Sequence, residues 1–581
     1  MRSKLVRVLF CVFLSIIMIG CGNAGNIETA TEESEKETTD EAAVNSSNAL
    51  VSKTNEELAG QYGATTIILD DSQILVDGSA ISTDSTSAVY AANDIVFYLE
   101  GQDFTYGEGT REDEHSQEEA DAHTVVHITQ PGSYVISGKL SAGQIAVDLG
   151  AAAKKDEAAV VTLILNNVDI TCSVAPGIIF YNVYECGSDE VEGSSKDVDT
   201  SKAGANVIIA DGSVNQVNGS YVARIYESVE LNEDGTEVVD SKKLHKYDAA
   251  FYSKCSMNIN GETENTGVLN IKAENEGLDS ELHLTINGGN INITSGNDGI
   301  NTNEDEVSVT TINGGSLNIV VDGATGEGDG IDSNGWLVIN GGSVTAAACS
   351  FSGDAGIDSD MGIYINGGTV LATGNMLDAI ADSAQNYVVF TFDAAQAGGS
   401  SYELKNADGS VIGNWTPVND FSMLVFSGES LTAGNYTLWK DGTQLSVQES
   451  GKGMMGGRGP MMGGERPEMP EGEIPTMPEG EIPMGKNRPE MSEETTYVPE
   501  GNPMMRPDGE WTDLDEMPEG EHPQMQEGEM PEMPTDGELV DMPQDDGRGQ
   551  YKGGGAGVMG EVITEFEIVD GGNMYTVVTV Q

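Results

Sequence analysis

The triplet Asn-Gly-Gly recurs at Asn287, Asn313, Asn340 and Asn366, at spacings of 26, 27 and 26 residues. A period this short and regular restricts the chain to a stack of near-identical units. It leaves no room for the helical crossovers of a doubly wound sheet. The flanking side chains keep register with the triplet. Isoleucine precedes each one (Ile286, Ile312, Ile339, Ile365), and apolar residues follow at Ile291, Leu317, Val344 and Val370, then at Ile293, Ile319, Ala346 and Ala372. Period-two alternation on both sides marks strands with one buried face. The triplet between them reads as a corner, because Asn and Gly tolerate left-handed backbone at little steric cost.

A third segment completes each turn: EGLDSE (276–281), DGINTN (298–303), DGIDSN (329–334), AGIDSD (355–360) and DAIADS (378–383). Leu278, Ile300, Ile331, Ile357 and Ile380 would point inward. Three strand faces per turn predict an all-β chain built as a parallel β-helix. An antiparallel sandwich is the other all-β solution, but it does not repeat a motif at constant register. Alternating strands at 126–149, 160–171, 205–219 and 248–273 read as earlier turns. The polar stretches 187–202 and 224–244 read as insertions looping out between them.

The chain opens MRSKLVRVLFCVFLSIIMIGC, with a basic head, a short apolar run, then Gly20 and Cys21. That is the pattern of a secretory signal ending at a lipid-acceptor cysteine, and the run is short for a membrane span. It predicts a bacterial lipoprotein, anchored through Cys21 to the extracellular face of the cell membrane. Residues 22–58 are acidic and poor in large apolar side chains, so they read as a disordered stalk. Residues 59–119 read as an N-terminal β segment, 120–385 as the repeat domain and 386–448 as a small β cap covering its open end. From 449 to 557 the Met/Pro/Glu/Gly repeats predict disorder. Residues 558–581 suggest a hairpin turning at Asp570-Gly571-Gly572. Cys172, Cys186, Cys255 and Cys349 lack metal-type spacing and read as free thiols, with a Cys172–Cys186 bridge left open.

Acidic residues outnumber basic ones by 96 to 27, a formal net charge of -69. Such a chain repels nucleic acid and attracts multivalent cations. If the inward residue of each third segment is fixed, its neighbours form outward columns. One column is Asp279, Asn301, Asp332, Asp358. Another is Glu276, Asp298, Asp329, then Ala355 with Asp354 beside it, then Asp378. A third is Glu281, Asn303, Asn334, Asp360. Stacked about 4.8 Å apart, these oxygens suit a hard dication that takes six to eight of them, so calcium is the expected cofactor. A solvated acidic face is the plainer reading. The Met-rich tract carries no His or Cys cluster, so copper is not expected there.

GSYVISGKLSAGQIAVDL, LILNNVDIT and DAAFYSK occur in that order before the repeated turns. With them, residues 120–385 resemble the cell-surface β-helix carbohydrate-binding family, which is similar in fold to pectate lyases. The resemblance implies a right-handed parallel β-helix, bound calcium, and affinity for cellulose- or pectin-type polysaccharide without cleavage. Residues 273–404 contain no Lys or Arg, which removes the usual lyase base from the acidic face. Tyr181 and Tyr252 are the candidate sugar-stacking residues, expected in the column later taken by Asp279 and Asp332. Two other readings stay open: a lyase or hydrolase of uronate polymers, and a surface scaffold without a sugar ligand.

Overall fold

A computed structural model describes residues 52–98, 114–222, 225–231, 238–245, 247–381, 383–450 and 561–578. The signal segment with Cys21, most of the stalk and nearly all of the Met/Pro/Glu/Gly tract lie outside these residues. The described chain is almost entirely β, with short helices at Asn55–Tyr62 and Gln117–Asp121 and a 3-10 turn at Ala151–Lys155. No described helix is long and apolar enough to cross a membrane.

The repeat is built from three ladders of parallel strands. In the first, Ile259, Ile286, Ile312, Ile339 and Ile365 are successive partners. In the second, Leu269, Ile291, Leu317, Val344 and Val370 are. The third joins Gly143–Asp148, Ile178–Asn182, Ala249–Ser253, Glu276–Ser280 and Ile300–Thr302, with Ile331 bridged onto Ile300. Inward side chains of all three ladders meet in one apolar core, and Ile286, Ile319, Leu278 and Ile331 are each under 2% exposed. Each such burial contributes about 1.5–3 kcal/mol, so the repeated isoleucine positions fix the register.

The corner chemistry differs from the expectation. Asn287, Asn313, Asn340 and Asn366 do not have positive φ; the second glycine does, at Gly289 (93°), Gly315 (85°), Gly342 (82°) and Gly368 (81°). A Cβ on Gly315 would fall 2.6 Å from the Gly289 carbonyl oxygen, so stacking itself demands glycine there. The asparagines instead form a side-chain ladder. Each Nδ2 donates to the Oδ1 one turn earlier, from Asn287 to Asn260 (3.0 Å), Asn313 to Asn287 (2.9 Å), Asn340 to Asn313 (2.9 Å) and Asn366 to Asn340 (3.0 Å).

Two ends of the chain also depart from the expected boundaries. Residues 54–58, expected as stalk, begin an ordered helix that runs on to Tyr62. Thr54 and Glu57 form a capping box, and Leu58 is fully buried against Val135, Ile164 and Ala210. The adjoining strand Thr65–Leu69 pairs in parallel with Gly132–Leu140, so it starts the first ladder rather than a separate segment. At the other end, Phe566–Ile568 and Gly572–Val578 do not pair with each other. Phe566–Ile568 joins Gly434–Lys440, while Gly572–Val578 inserts between Tyr387–Gln396 and Ser446–Glu449. The Asp-Gly-Gly turn connects two different sheets of the cap, and Glu449, assigned to the tract, ends a cap strand. Residues 225–231 and 238–245 form an antiparallel hairpin, while 187–202 carries no strand. Cys172, Cys186, Cys255 and Cys349 are free thiols.

Candidate functional site

The third ladder carries the acidic columns. Tyr252 pairs with Asp279 and Asp279 with Asn301. The Asp332 N–H donates to the Ile300 carbonyl and the Asp358 N–H to that of Ile331, which continues the column turn by turn. Glu276 sits beside Ala249, and the Gly277 N–H donates to the Asp298 carbonyl, which sets the second column.

Carboxylates converge at two places. Oxygens of Asp248, Glu276 and Asp279 lie within 4.8 Å of one another, and so do those of Asp329, Asp332 and Asp358. The first group is buried, with Asp248 and Glu276 4% exposed and Asp279 0%. Asp298 and Asn301 lie between the groups. The Asn301 Nδ2 donates to Glu276 Oε1 (3.2 Å), and the Asn303 Nδ2 donates to both Asp279 oxygens (2.8 and 2.9 Å). The Asp329 N–H donates to Asp298 Oδ1 (2.6 Å), and the Ala355 N–H donates to Asp329 Oδ1. Asp354 has a different task. Its Oδ2 accepts from the Gly328 N–H (2.7 Å) and the Ser352 hydroxyl, pinning the loop beside the cluster.

Like charges this close repel by about 3 kcal/mol per pair at an effective dielectric near 20. Burial, then the charges of Glu276 and Asp332, push the Asp298 carboxyl well above its usual range. Burial followed by Asp298 and Asp358 does the same to Asp329. Burial and the neighbouring Asp378 raise Asp358 to about 8. Oδ1 of Asp248, Asn301 and Asp358 are enclosed and find no hydrogen-bond donor among the described residues. A donor set of oxygen only, with enclosed acceptors among them, is one a hard cation satisfies. Asp378, expected at the end of the second column, lies beside Asp358, and Asp248, which none of the expected columns includes, joins the first group.

The tyrosines are placed otherwise than expected. Tyr252 holds the Asp279 column but is 0% exposed, lies edge-on to Tyr247 (centroids 5.4 Å) and donates its hydroxyl to Glu281. It has no face to offer a sugar. Its partner in the preceding strand is Ile179, so Tyr181 stands two residues out of the column, half-buried and also edge-on to Tyr247 (5.2 Å). An exposed aromatic ring comes instead from Phe351, 77% exposed, on the loop pinned by Asp354. A Cβ on Gly323 would fall 3.1 Å from the Phe351 ring, so that ring rests on bare backbone. A cavity of about 700 Å³ in the cap, lined by Tyr387, Glu449, Phe566 and Tyr575 among others, shares no residue with either carboxylate group.

A family model described as carbohydrate-binding domain-containing protein matches residues 122–414, which include most of the three ladders and both carboxylate groups. The chain belongs to this carbohydrate-binding family. No curated protein matches the sequence. A solved structure described as the polysaccharide lyase-like protein from C. thermocellum, in a gadolinium derivative, is similar at 21% identity over 52% of this chain and 89% of that one. The TM-score is 0.31, a superposition too loose to carry anything across. Within this carbohydrate-binding domain, basic groups approach the acidic face from earlier turns than the lysine-free window 273–404. Lys154 and Lys254 lie close enough to Glu281 to favour its ionised form, against the burial that raises it.

Proposed function

We propose that the three ladders coil as a right-handed parallel β-helix that binds polysaccharide of the cellulose or pectin type through calcium held on the third ladder, without cleaving it. The family match supports a glycan partner. The observation that carries the calcium reading is the pair of carboxylate groups, each with an enclosed acceptor that meets no donor among the described residues, and a third such acceptor on Asn301 between them. Asp329, Asp332 and Asp358, with Asp298 beside them, would hold one ion, and Asp248, Glu276, Asp279 and Asn301 another. A calcium ion so held supplies positive charge for sugar hydroxyl or carboxylate oxygens. The Phe351 ring, on the loop next to the second group, offers a flat apolar face for a pyranose. The signal-like start with Cys21 supports presentation on a membrane surface. Magnesium fits less well, because it keeps its waters and demands a regular octahedron.

Calcium binding to the folded state stabilises it by mass action. Melting of the protein in calcium and in EDTA tests this. A higher midpoint in calcium, reduced in Asp332→Asn and Asp358→Asn, supports the sites, and identical melts reduce the columns to a solvated face. The second reading is a uronate lyase. Its support is Lys254, a basic group just after the strand Ala249–Ser253 and close to Glu281, which lies two residues from Asp279. Unsaturated sugar ends appearing with time would establish it.

A further inference from the structure

Residues 561–578 join the cap as one piece. Their turn is held from within. The Val569 N–H donates to Asn573 Oδ1 (2.9 Å), Asn573 Nδ2 donates back to the Val569 carbonyl (2.9 Å), and the Tyr575 hydroxyl donates to the Glu567 carbonyl. The cap receives this piece in a slot between two strands. Tyr387–Gln396 pairs in parallel with one edge of Gly572–Val578, from Tyr387 with Gly572 to Phe392 with Val577, and Ser446–Glu449 pairs with the other edge. Side chains of the slot set the register. Asn386 Oδ1 accepts from the Gly571 N–H (2.8 Å), and Gln444 Nε2 donates to the Thr564 carbonyl (2.9 Å). Phe566 lies edge-on to Phe390, with ring centroids 5.7 Å apart.

None of these contacts depends on which chain supplies the piece. Its covalent link to the slot is the tract 451–560. Closure does not need a link of that length, because Val447 and Ile563 exchange backbone hydrogen bonds of 2.7 and 2.8 Å. The length works against closure instead. Fully extended, the tract reaches about 360 Å, so the piece can meet a slot well beyond its own. A tethered segment meets its own site at an effective concentration in the mM range for a short linker, falling as about the −3/2 power of length. Going from about ten residues to this tract lowers that figure about 40-fold, to the order of 0.01–0.1 mM. The contacts themselves contribute equally within a chain and between chains, so this concentration decides the balance. A slot without its piece presents two unpaired strand edges, which a strand from another chain satisfies by the same ladder.

We propose that copies of this chain exchange residues 561–578, each piece filling the slot between Tyr387–Gln396 and Ser446–Glu449 of another copy. The partner is a second copy because the register, the Asn386 and Gln444 bonds and the Phe390 contact match this piece's own residues. The inference stands apart from the glycan reading. Exchange joins two carbohydrate-binding domains through slots that share no residue with either carboxylate group. Domains so joined hold one polymer with an avidity beyond that of either alone.

The test mixes two single-cysteine variants of the full chain. Gln448 and Thr576 are direct partners across the slot, and Cα atoms of antiparallel partners lie about 4.5–5.5 Å apart, within disulfide reach. Gln448→Cys and Thr576→Cys chains are refolded together in about 0.15 M salt, which screens the like charge of the copies. They are then oxidised at about 1 μM and at about 0.3 mM, below and above the effective concentration of the tether. Wild type oxidised alongside gives the background from the native thiols. A bond between positions 448 and 576, located by peptide mass mapping, forms only between chains in this mixture. Its yield should rise about ten-fold or more from the lower to the higher concentration. With both substitutions in one chain, the bond should close within that chain at the lower concentration. Replacing 451–560 by a short Gly/Ser linker should cut the interchain bond about ten-fold or more, because closure on the chain's own slot then wins. No interchain bond at the higher concentration, while the double variant closes, would overturn the proposal. A double variant that closes neither within nor between chains would overturn it through the register. An interchain yield unchanged by the short linker would overturn it through the tether.

Discussion

Deleting everything after Ser450 should destabilise the cap severely, whereas excising only residues 451–560 should not. The last strands supply Phe566, Ile568, Tyr575 and Val577 to the cap core, at 2, 0, 6 and 5% exposure. At about 1.5–3 kcal/mol for each buried side chain, they contribute on the order of 6–12 kcal/mol, an upper figure because unfolded chains already hide some surface. That is comparable with the total stability of a domain, about 5–15 kcal/mol. Truncation also strips the partner from Tyr387–Gln396, which then presents an unpaired edge. The excision is different. Val447 and Ile563 exchange backbone hydrogen bonds of 2.7 and 2.8 Å, so the chain leaves and returns at neighbouring points and a short Gly/Ser linker can rejoin it. The excised segment is Pro/Gly/Glu-rich and has little to bury. Differential scanning calorimetry of the two deletions decides the matter. The truncation should lower the cap's melting by about 10 °C or more, and the excision should leave it within a degree or two. Equal melts for truncation and full chain would refute the packing of the terminal strands.

Other expectations follow from the same geometry. Asn313→Ala breaks two links of the asparagine ladder and should cost about 1–2 kcal/mol in denaturant melts, with Asn313→Asp worse because an acceptor then meets the Asn287 Oδ1. Asp358 titrates near 8 in the folded state, against about 3.9 unfolded. The folded state therefore binds the extra proton, and without calcium stability should fall as pH rises from about 4 through about 8. Urea midpoints at pH 6 and pH 9 in EDTA check the sign, and saturating calcium should flatten the slope. Phe351→Ala should weaken glycan binding several-fold in affinity electrophoresis while leaving the melting midpoint unchanged, since the ring is 77% exposed.

The repeat made the core legible, because Ile286, Ile312, Ile339 and Ile365 recur in one register and an inward isoleucine admits only one strand phase. It also set the Asp279, Asn301, Asp332, Asp358 column, which hangs from the inward residue beside it. Away from the repeat, local pattern misled. The local pattern aligns Tyr181 with Tyr252, but Ile178–Asn182 carries no Asp-Gly-Ile anchor and the pairing places Tyr181 two residues off. Asp248 is hard to read from the pattern because it precedes the strand Ala249–Ser253, in which Ala249 takes the place that Glu276 holds one turn later. The corner asparagines suggest a backbone role from sequence, whereas their side chains make contacts visible only once turns are stacked. The terminal strands read as a hairpin because Asp570-Gly571-Gly572 is a good local turn, while their partners lie far back in the chain. The lysines near Glu281 were missed for the same reason, since the sequence window held none and stacking supplies them from earlier turns.

The central claim is that this carbohydrate-binding domain holds polysaccharide with calcium on its acidic face and leaves the polymer intact. The direct measurement incubates the full chain with insoluble polygalacturonate and with cellulose, in calcium and in EDTA, following protein depletion together with unsaturated and reducing ends. Retention on at least one polymer, stronger in calcium, with no new ends over hours, is the predicted result. Ends that accumulate in proportion to enzyme and time, or a protein left wholly in solution with both polymers, would contradict it.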